Sequence, residues 1–339
     1  MERFDVVIVP DFSGRARATF EARTLYFLAS WLEFAGESRR FPLHIACIGD
    51  APASVRALAR KAEARISQHA PMSAELGVFA NKLRGFEAPL ETDHMFLLDV
   101  DVFILDDLAP LAKISPGDAI AATHSHSAII LPDMWEELYA ALGLTPPAKG
   151  MMDFHLTLED GVAPAATALY PSFSSGALLV PRAVDLQRLW LEHLGVLMRF
   201  RDRWMKRLEP LNMLVGDEPA LATALHVLKA RGHDVVLMPE RFHGKWRHLY
   251  RRSPRLDEMA LFHMSSSFAA GSTLAEKVDP NRLTYERKLL RRYTKRWLLH
   301  SASRPRDAVR YLAPAASELV ALRSIYQRLY ERHIRNVLA

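Results

Sequence analysis

The chain has 339 residues, half of them hydrophobic, a formal charge of +5 and one cysteine, Cys47. That length and apolar content suffice for a packed α/β core, as one compact domain with an extension or as two closely joined domains. A single cysteine excludes a disulfide framework and a cysteine-rich zinc site, and makes a reducing cytoplasm the expected compartment.

In chain order, the apolar run near the start is too short and its flanks too acidic for a signal peptide, so Asp5–Val9 is expected as the first core strand. Nowhere do about 18 apolar residues follow one another, so no membrane-spanning helix is expected. Short apolar runs then alternate with amphipathic segments of helix length. Strands are expected at Leu43–Gly49 (holding Cys47 as a buried small hydrophobe), Met95–Leu105, Ala119–Thr123, Gly176–Val180, Val235–Met238 and Ala260–His263. Helices are expected at Phe20–Phe34, Ala53–Ala64, Asp133–Leu142, Ala183–Arg207 and Glu218–Ala230. Such alternation argues for βα units and a largely parallel sheet. The stretch Leu144–Pro171, with four prolines and two glycines, reads as a long functional loop or insertion.

After residue 270 the character becomes helical, basic and strand-free, which divides the chain into 1–270 and a C-terminal extension, 271–339. The final helix, Ala315–Leu338, spaces Leu319, Leu322, Ile325, Leu329 and Ile334 for one apolar face, which fits docking on the core or contact with a membrane or partner. Basic clusters run from Arg241 through Lys245, Arg247, Arg251 and Arg252 to Arg255, and from Arg282 through Arg287 and Arg291 to Arg296. They fit a solvated face, or peripheral contact with an anionic membrane. Nucleic acid is not expected as a partner, because the aromatics are scattered rather than interleaved with the basic residues.

The chemistry concentrates in Met95–Leu105, where Asp99 and Asp101 interrupt an apolar run. An unpaired buried charge costs several kcal/mol, so two together mark the place where a strand meets a ligand. In an extended segment residues i and i+2 point to one side, about 6–7 Å apart, which suits two oxygen donors on one hard divalent cation and its phosphates. Around the pair stand Asn81, Lys82 and Leu83 upstream, then Ser174, Ser175, Gly176 and Ala177, then Asp217, Glu218, Pro219, Ala220 and Leu221, and last Phe262 and His263.

This ordered series resembles GT-A glycosyltransferases, especially the family of glycogenin and the bacterial lipopolysaccharide galactosyltransferases, over roughly residues 1–270. The resemblance implies a GT-A-type mixed, mainly parallel sheet flanked by helices, and transfer of a sugar from a nucleotide-sugar donor, most simply a UDP-sugar, to a glycan or glycolipid acceptor, with retention of anomeric configuration. It implies Mn²⁺ or Mg²⁺ held by Asp99, Asp101 and His263 on the diphosphate. Pro10 and Asp11 fall where the family binds the nucleoside, and Asn81, Lys82 and Ser175 where it meets the diphosphate or donor sugar. Asp217 and Glu218 would face the reacting sugar, although Asp217 also fits a helix N-cap and Glu218 a first-turn acid.

This chain departs from the pattern in places. Glu218 stands where the family has glutamine, Ser174 where it has asparagine, and Met264 to Ser267 replace the Gly-x-x-Lys-Pro-Trp that grips the diphosphate. Lys245, Arg247 or the basic tail is expected to substitute. Two other readings use the same residues: a haloacid-dehalogenase-like phosphatase with Asp99 as nucleophile, and a non-catalytic nucleotide-binding scaffold.

Overall fold

The computed structural model describes residues 3–73, 75–114, 117–125, 130–152, 167–208, 215–245, 255–263, 273–282, 318 and 320–338. In chain order the main elements are β1 (Asp5–Ile8), α1 (Arg17–Phe34), β2 (Leu43–Ile48), α2 (Ala53–Lys61), β3 (Arg65–His69), α3 (Gly77–Asn81), β4 (His94–Leu98) and β5 (Val102–Ile104). There follow β6 (Ile120–His124), α4 (Pro132–Ala141), β7 (Gly150–Met152), β8 (Thr167–Leu169), β9 (Phe173–Pro181), α5 (Leu186–Leu208), α6 (Glu218–Ala230), β10 (Val235–Leu237), β11 (Gly244–Lys245) and β12 (Leu261–His263).

The expected mixed, mainly parallel sheet is present. Its order is β10-β6-β9-β4-β1-β2-β3, and only β9 runs against its neighbours, pairing antiparallel with both β4 and β6. Because β1, β4 and β6 are parallel, their carboxyl ends all reach one edge, where open α/β sheets receive ligands. The reversed β9 brings its amino end, Phe173 to Gly176, to that same edge.

Two apolar layers enclose the sheet. On one face α1 packs with Val6, Ile45, Phe96 and Phe103; on the other α5 and α6 cover Val7, Leu97, Leu178 and Val180. Every residue of β1, β2 and β4 is buried, which accounts for their largely apolar sequences; among the buried exceptions, Asp5 and His44 pair with each other at 2.6 Å.

The structure corrects three expectations. The run Met95–Leu105 is not one strand: β4 ends at Leu98, a turn carries Asp99, Val100 and Asp101, and β5 leaves the main sheet to pair with β12. The Asp99 N–H donates to Gly176 O at 3.0 Å and the Val102 N–H to Asp99 O at 3.2 Å, so the two aspartates are brought together by a turn rather than by the pleat. A strand the sequence reading lacked, β3, pairs with β2 at the sheet edge; its Arg-Ile-Ser-Gln-His composition is largely exposed and shows no apolar signal. Helix α1 begins at Arg17, ahead of its first apolar residue.

Part of the expected C-terminal extension packs on the main core. Val278, Leu322, Tyr326, Leu329 and Ile334 belong to the apolar layer built on α1. The Tyr326 ring is wedged between Tyr26 and Phe103, with ring centroids 4.9 and 4.8 Å away. The apolar face of this last helix is therefore buried on the protein rather than left for a lipid surface. No helix among the described residues is long and apolar enough to cross a membrane. The expected domain boundary near residue 270, Leu319, half of the first basic cluster, most of the second and much of the Leu144–Pro171 segment lie outside the described residues.

Replacing a fully buried aromatic by alanine costs about 3–5 kcal/mol, so Tyr326→Ala is expected to lower unfolding stability by that amount in urea titration. Val320→Ala, at a position 67% exposed on the same helix, is expected to change it by less than about 0.5 kcal/mol.

Candidate active site

The turn after β4 and the end of β12 meet at the carboxyl edge of the sheet. The register of β12 on β5 sets His263 opposite Val102, one residue from Asp101. The His263 Nε2 lies 3.2 Å from an Asp101 oxygen and 3.5 Å from an Asp99 oxygen. One ligand atom from each of Asp99, Asp101 and His263 falls within 4.8 Å of the others. Two carboxylate oxygens and one imidazole nitrogen form a donor set that suits Mn²⁺ or Mg²⁺, so the residues present fit the cation that the resemblance implies.

Cations close this acidic group on both sides. On one, Arg23 from α1 approaches the other Asp101 oxygen at 3.4 Å. Burial opposes the charged form of Asp101, but His263 and Arg23 outweigh it and hold the carboxyl well below the usual carboxylate range. On the other side, Lys82 contacts Asp99 and also donates to the Ser175 carbonyl. Burial alone would depress the Lys82 ammonium; Asp99 and Asp217 override it and raise its pKa.

From Ser175 the network reaches the amino end of α6. The Ser175 hydroxyl donates to Asp217 Oδ1 at 3.0 Å, and the Ser125 hydroxyl to Glu218 Oε2 at 2.9 Å. Asp217 occupies the N-cap position, yet its side chain caps no backbone N–H. The capping role therefore does not account for this carboxylate, which is held by the site instead. Burial pushes the Asp217 carboxyl up to about 6, against the opposing pull of Lys82.

Pro10 and Asp11 extend the pairing of β1 with β2, through Ile48 N–H to Pro10 O at 2.9 Å and a bridge between Asp11 and Ile48. The Asp11 carboxylate accepts from Ser13 N–H at 2.9 Å, from the Ser13 hydroxyl at 2.6 Å and from Asn81 Nδ2 at 2.8 Å. Asn81 in turn accepts the Met72 N–H at 2.8 Å. Asp11 and Asn81 thus tie the loop after β1 to α3, while Asp99, Asp101, His263, Lys82, Ser175 and Asp217 form one contiguous group.

Several neighbours carried no signal of their own in the sequence. Arg23 reads there as one charge on a helix, and Thr123 and His243 as ordinary members of a strand end and a basic stretch. Lys245 was legible only as one of several cations. Its ammonium donates to Ser174 Oγ at 2.9 Å, and burial lowers its pKa, partly countered by Glu218 and Asp99.

No protein-family model matches the chain, and neither does any curated protein. Among solved structures, the galactosyltransferase LgtC bound to donor and acceptor sugar analogues is similar over 77% of this chain and 87% of its own, at 16% identity and a TM-score of 0.43. The apo form of mouse xyloside xylosyltransferase 1 is similar over 78% of this chain and 98% of its own, at 14% identity and a TM-score of 0.46. For the Streptococcus pneumoniae TIGR4 glycosyltransferase GlyE the shares are 78% and 55%, at 12% identity and a TM-score of 0.42. These likenesses are distant, and the chemistry proposed below rests on the side chains of this site.

The raised Asp217 carboxyl has a consequence for stability. Its pKa of about 6 exceeds the ordinary 3.8, so between those values the folded chain binds the extra proton. This group's contribution is present below the unfolded pKa and is lost as pH rises through about 6. Relative to wild type, Asp217→Asn is therefore expected to gain on the order of 2–3 kcal/mol between pH 4 and pH 8, checked by chemical denaturation at both.

Proposed function

We propose that the chain is a metal-dependent glycosyltransferase that moves a sugar from a nucleotide-sugar donor, most simply a UDP-sugar, to a glycan or glycolipid acceptor. The observation that carries this reading is the convergence of Asp99, Asp101 and His263 within 4.8 Å, next to Lys82 and within one hydrogen-bonded chain of Asp217. Asp99, Asp101 and His263 would hold Mn²⁺ or Mg²⁺, which when bound supplies positive charge for a departing diphosphate without a proton transfer.

The chain's own residues would do the rest. Lys82 and Lys245 place two ammonium groups around the acids and offer charge-assisted hydrogen bonds to phosphate oxygens. Lys245 would replace the lysine that the Gly-x-x-Lys-Pro-Trp segment provides in the resembled family. Pro10 and Asp11 would border the nucleoside, with Asn81 holding Asp11 in place. Ser175 would orient Asp217, and the Asp217 and Glu218 carboxylates would lie against the reacting sugar, where negative charge favours an oxocarbenium-like centre.

The phosphatase reading has less support. That chemistry normally carries its aspartate pair near the N-terminus, whereas Asp99 here follows β4, well into the sheet. Nucleotide-sugar turnover without phosphomonoester hydrolysis is the expected outcome of an assay with both substrate classes. Release of phosphate from simple monoesters would favour the phosphatase, and metal-dependent nucleotide binding without turnover would favour the scaffold.

A panel of nucleotide sugars, with and without Mn²⁺, should identify the donor by thermal shift. At 100-fold over Kd a ligand stabilises the fold by about 2.7 kcal/mol. Asp99→Asn and Asp101→Asn are each expected to cut donor turnover by at least about 100-fold, as loss of a charge-stabilising group does. Lys245→Ala is expected to raise the donor Kd by roughly tenfold, the scale of one charge-assisted contact, as measured by calorimetry. Unchanged values would remove those residues from the site.

A further inference from the structure

Behind His263 lies a second histidine that neither the motif series nor the proposed reaction uses. His243 ends the short turn Glu240–His243, is 1% exposed, and lies beside His263 with ring centroids 5.0 Å apart and planes 24° from parallel. Its Nε2 is 2.9 Å from His263 Nδ1, and its Nδ1 is 2.6 Å from the Thr123 hydroxyl on β6. Thr123 is itself 4% exposed. Both rings lie over Gly176 on β9: a Cβ there would fall 2.6 Å from His263 Cε1 and 2.7 Å from His243 Nε2. The glycine is required at this point because any side chain would push the pair away from the aspartates.

The chain of contacts has one consistent direction when His263 serves as a ligand. To offer its Nε2 lone pair, a neutral imidazole carries its proton on Nδ1 and needs an acceptor there. The nearest such atom is His243 Nε2, which accepts only if His243 holds its own proton on Nδ1. That N–H then donates to Thr123 Oγ1. Both nitrogens of His243 and the Nδ1 of His263 then have partners, and the His263 ring is fixed in both tautomer and orientation.

We infer that His243, backed by Thr123 and seated on Gly176, is a positioning residue that orients His263 for divalent-cation binding. This inference rests on the metal reading of Asp99, Asp101 and His263, and a buried histidine pair that merely fills space is its rival. Outer partners of metal-bound histidines change metal affinity by roughly 10–100-fold.

The test is Mn²⁺ binding to the full chain, read by electron paramagnetic resonance, alongside thermal unfolding without added metal. Wild type should bind Mn²⁺, and Asp101→Asn should not. His243→Leu should weaken binding by about 10–100-fold. His243→Gln, whose amide oxygen still accepts from His263 Nδ1–H, should restore most of it. Thr123→Val should weaken binding by a smaller factor. Wild-type affinity in His243→Leu, with Asp101→Asn inactive in binding, overturns the inference and leaves the metal reading standing. A wild-type chain that binds no Mn²⁺ overturns both.

Should His243→Leu fail to fold, nitrogen-15 NMR of the Mg²⁺-loaded wild type decides. The account requires the His243 proton on Nδ1, and a proton on its Nε2 contradicts it. A merely structural pair would move neither the Mn²⁺ affinity nor its recovery with glutamine.

Discussion

The site depends on the antiparallel pairing of β12 with β5. Residues Leu261 and Val102 are far apart in sequence, yet this short ladder fixes His263 opposite Val102 and so beside Asp101. A one-residue slip would turn His263 to the other face of the strand, because side chains alternate with period two. The turn at Asp99–Asp101 is held by its own hydrogen bonds to Gly176 and Val102, so both aspartates are presented by backbone geometry. Gly176 completes the arrangement from the reversed strand β9, by leaving the space that the His243 and His263 rings fill.

Burying so much charge at one edge needs balance. Asp99, Asp101 and Asp217 face Lys82, Arg23 and Lys245, and most of these side chains are withdrawn from water. Like charges in such a setting separate in behaviour: Asp101, beside His263 and Arg23, stays ionised far into acid, while Asp217 is pushed up to about 6. Under the proposed function these opposite shifts suit different tasks, one carboxylate binding a cation and the other meeting a reacting centre. Removing a cation such as Lys82 or Arg23 leaves a buried carboxylate uncompensated, which is costly for the fold.

Much of this was legible in the sequence because burial leaves an apolar record. The strands β1, β2 and β4 are buried along their length and read as largely apolar runs, and α6 was placed at Glu218–Ala230 by its acidic start and apolar interior. Asp99, Asp101 and His263 were legible as a set through the order of motifs around them. The break between β4 and β5 was not, since Val100 and Val102 are buried and apolar like the strands on either side. Edge strand β3 was hidden because it buries little. Arg23, Thr123 and His243 were invisible for a different reason: their roles exist only as contacts between segments distant in sequence, and none carries a local pattern.

The central claim is that one cation, held by Asp99, Asp101 and His263, joins the protein to a nucleotide diphosphate. Calorimetric titration of UDP into wild-type protein and into Asp101→Asn, each with and without Mn²⁺, tests it most directly. The account predicts UDP binding that requires Mn²⁺ in the wild type and is lost in the variant. UDP binding of equal strength in all four titrations would contradict it.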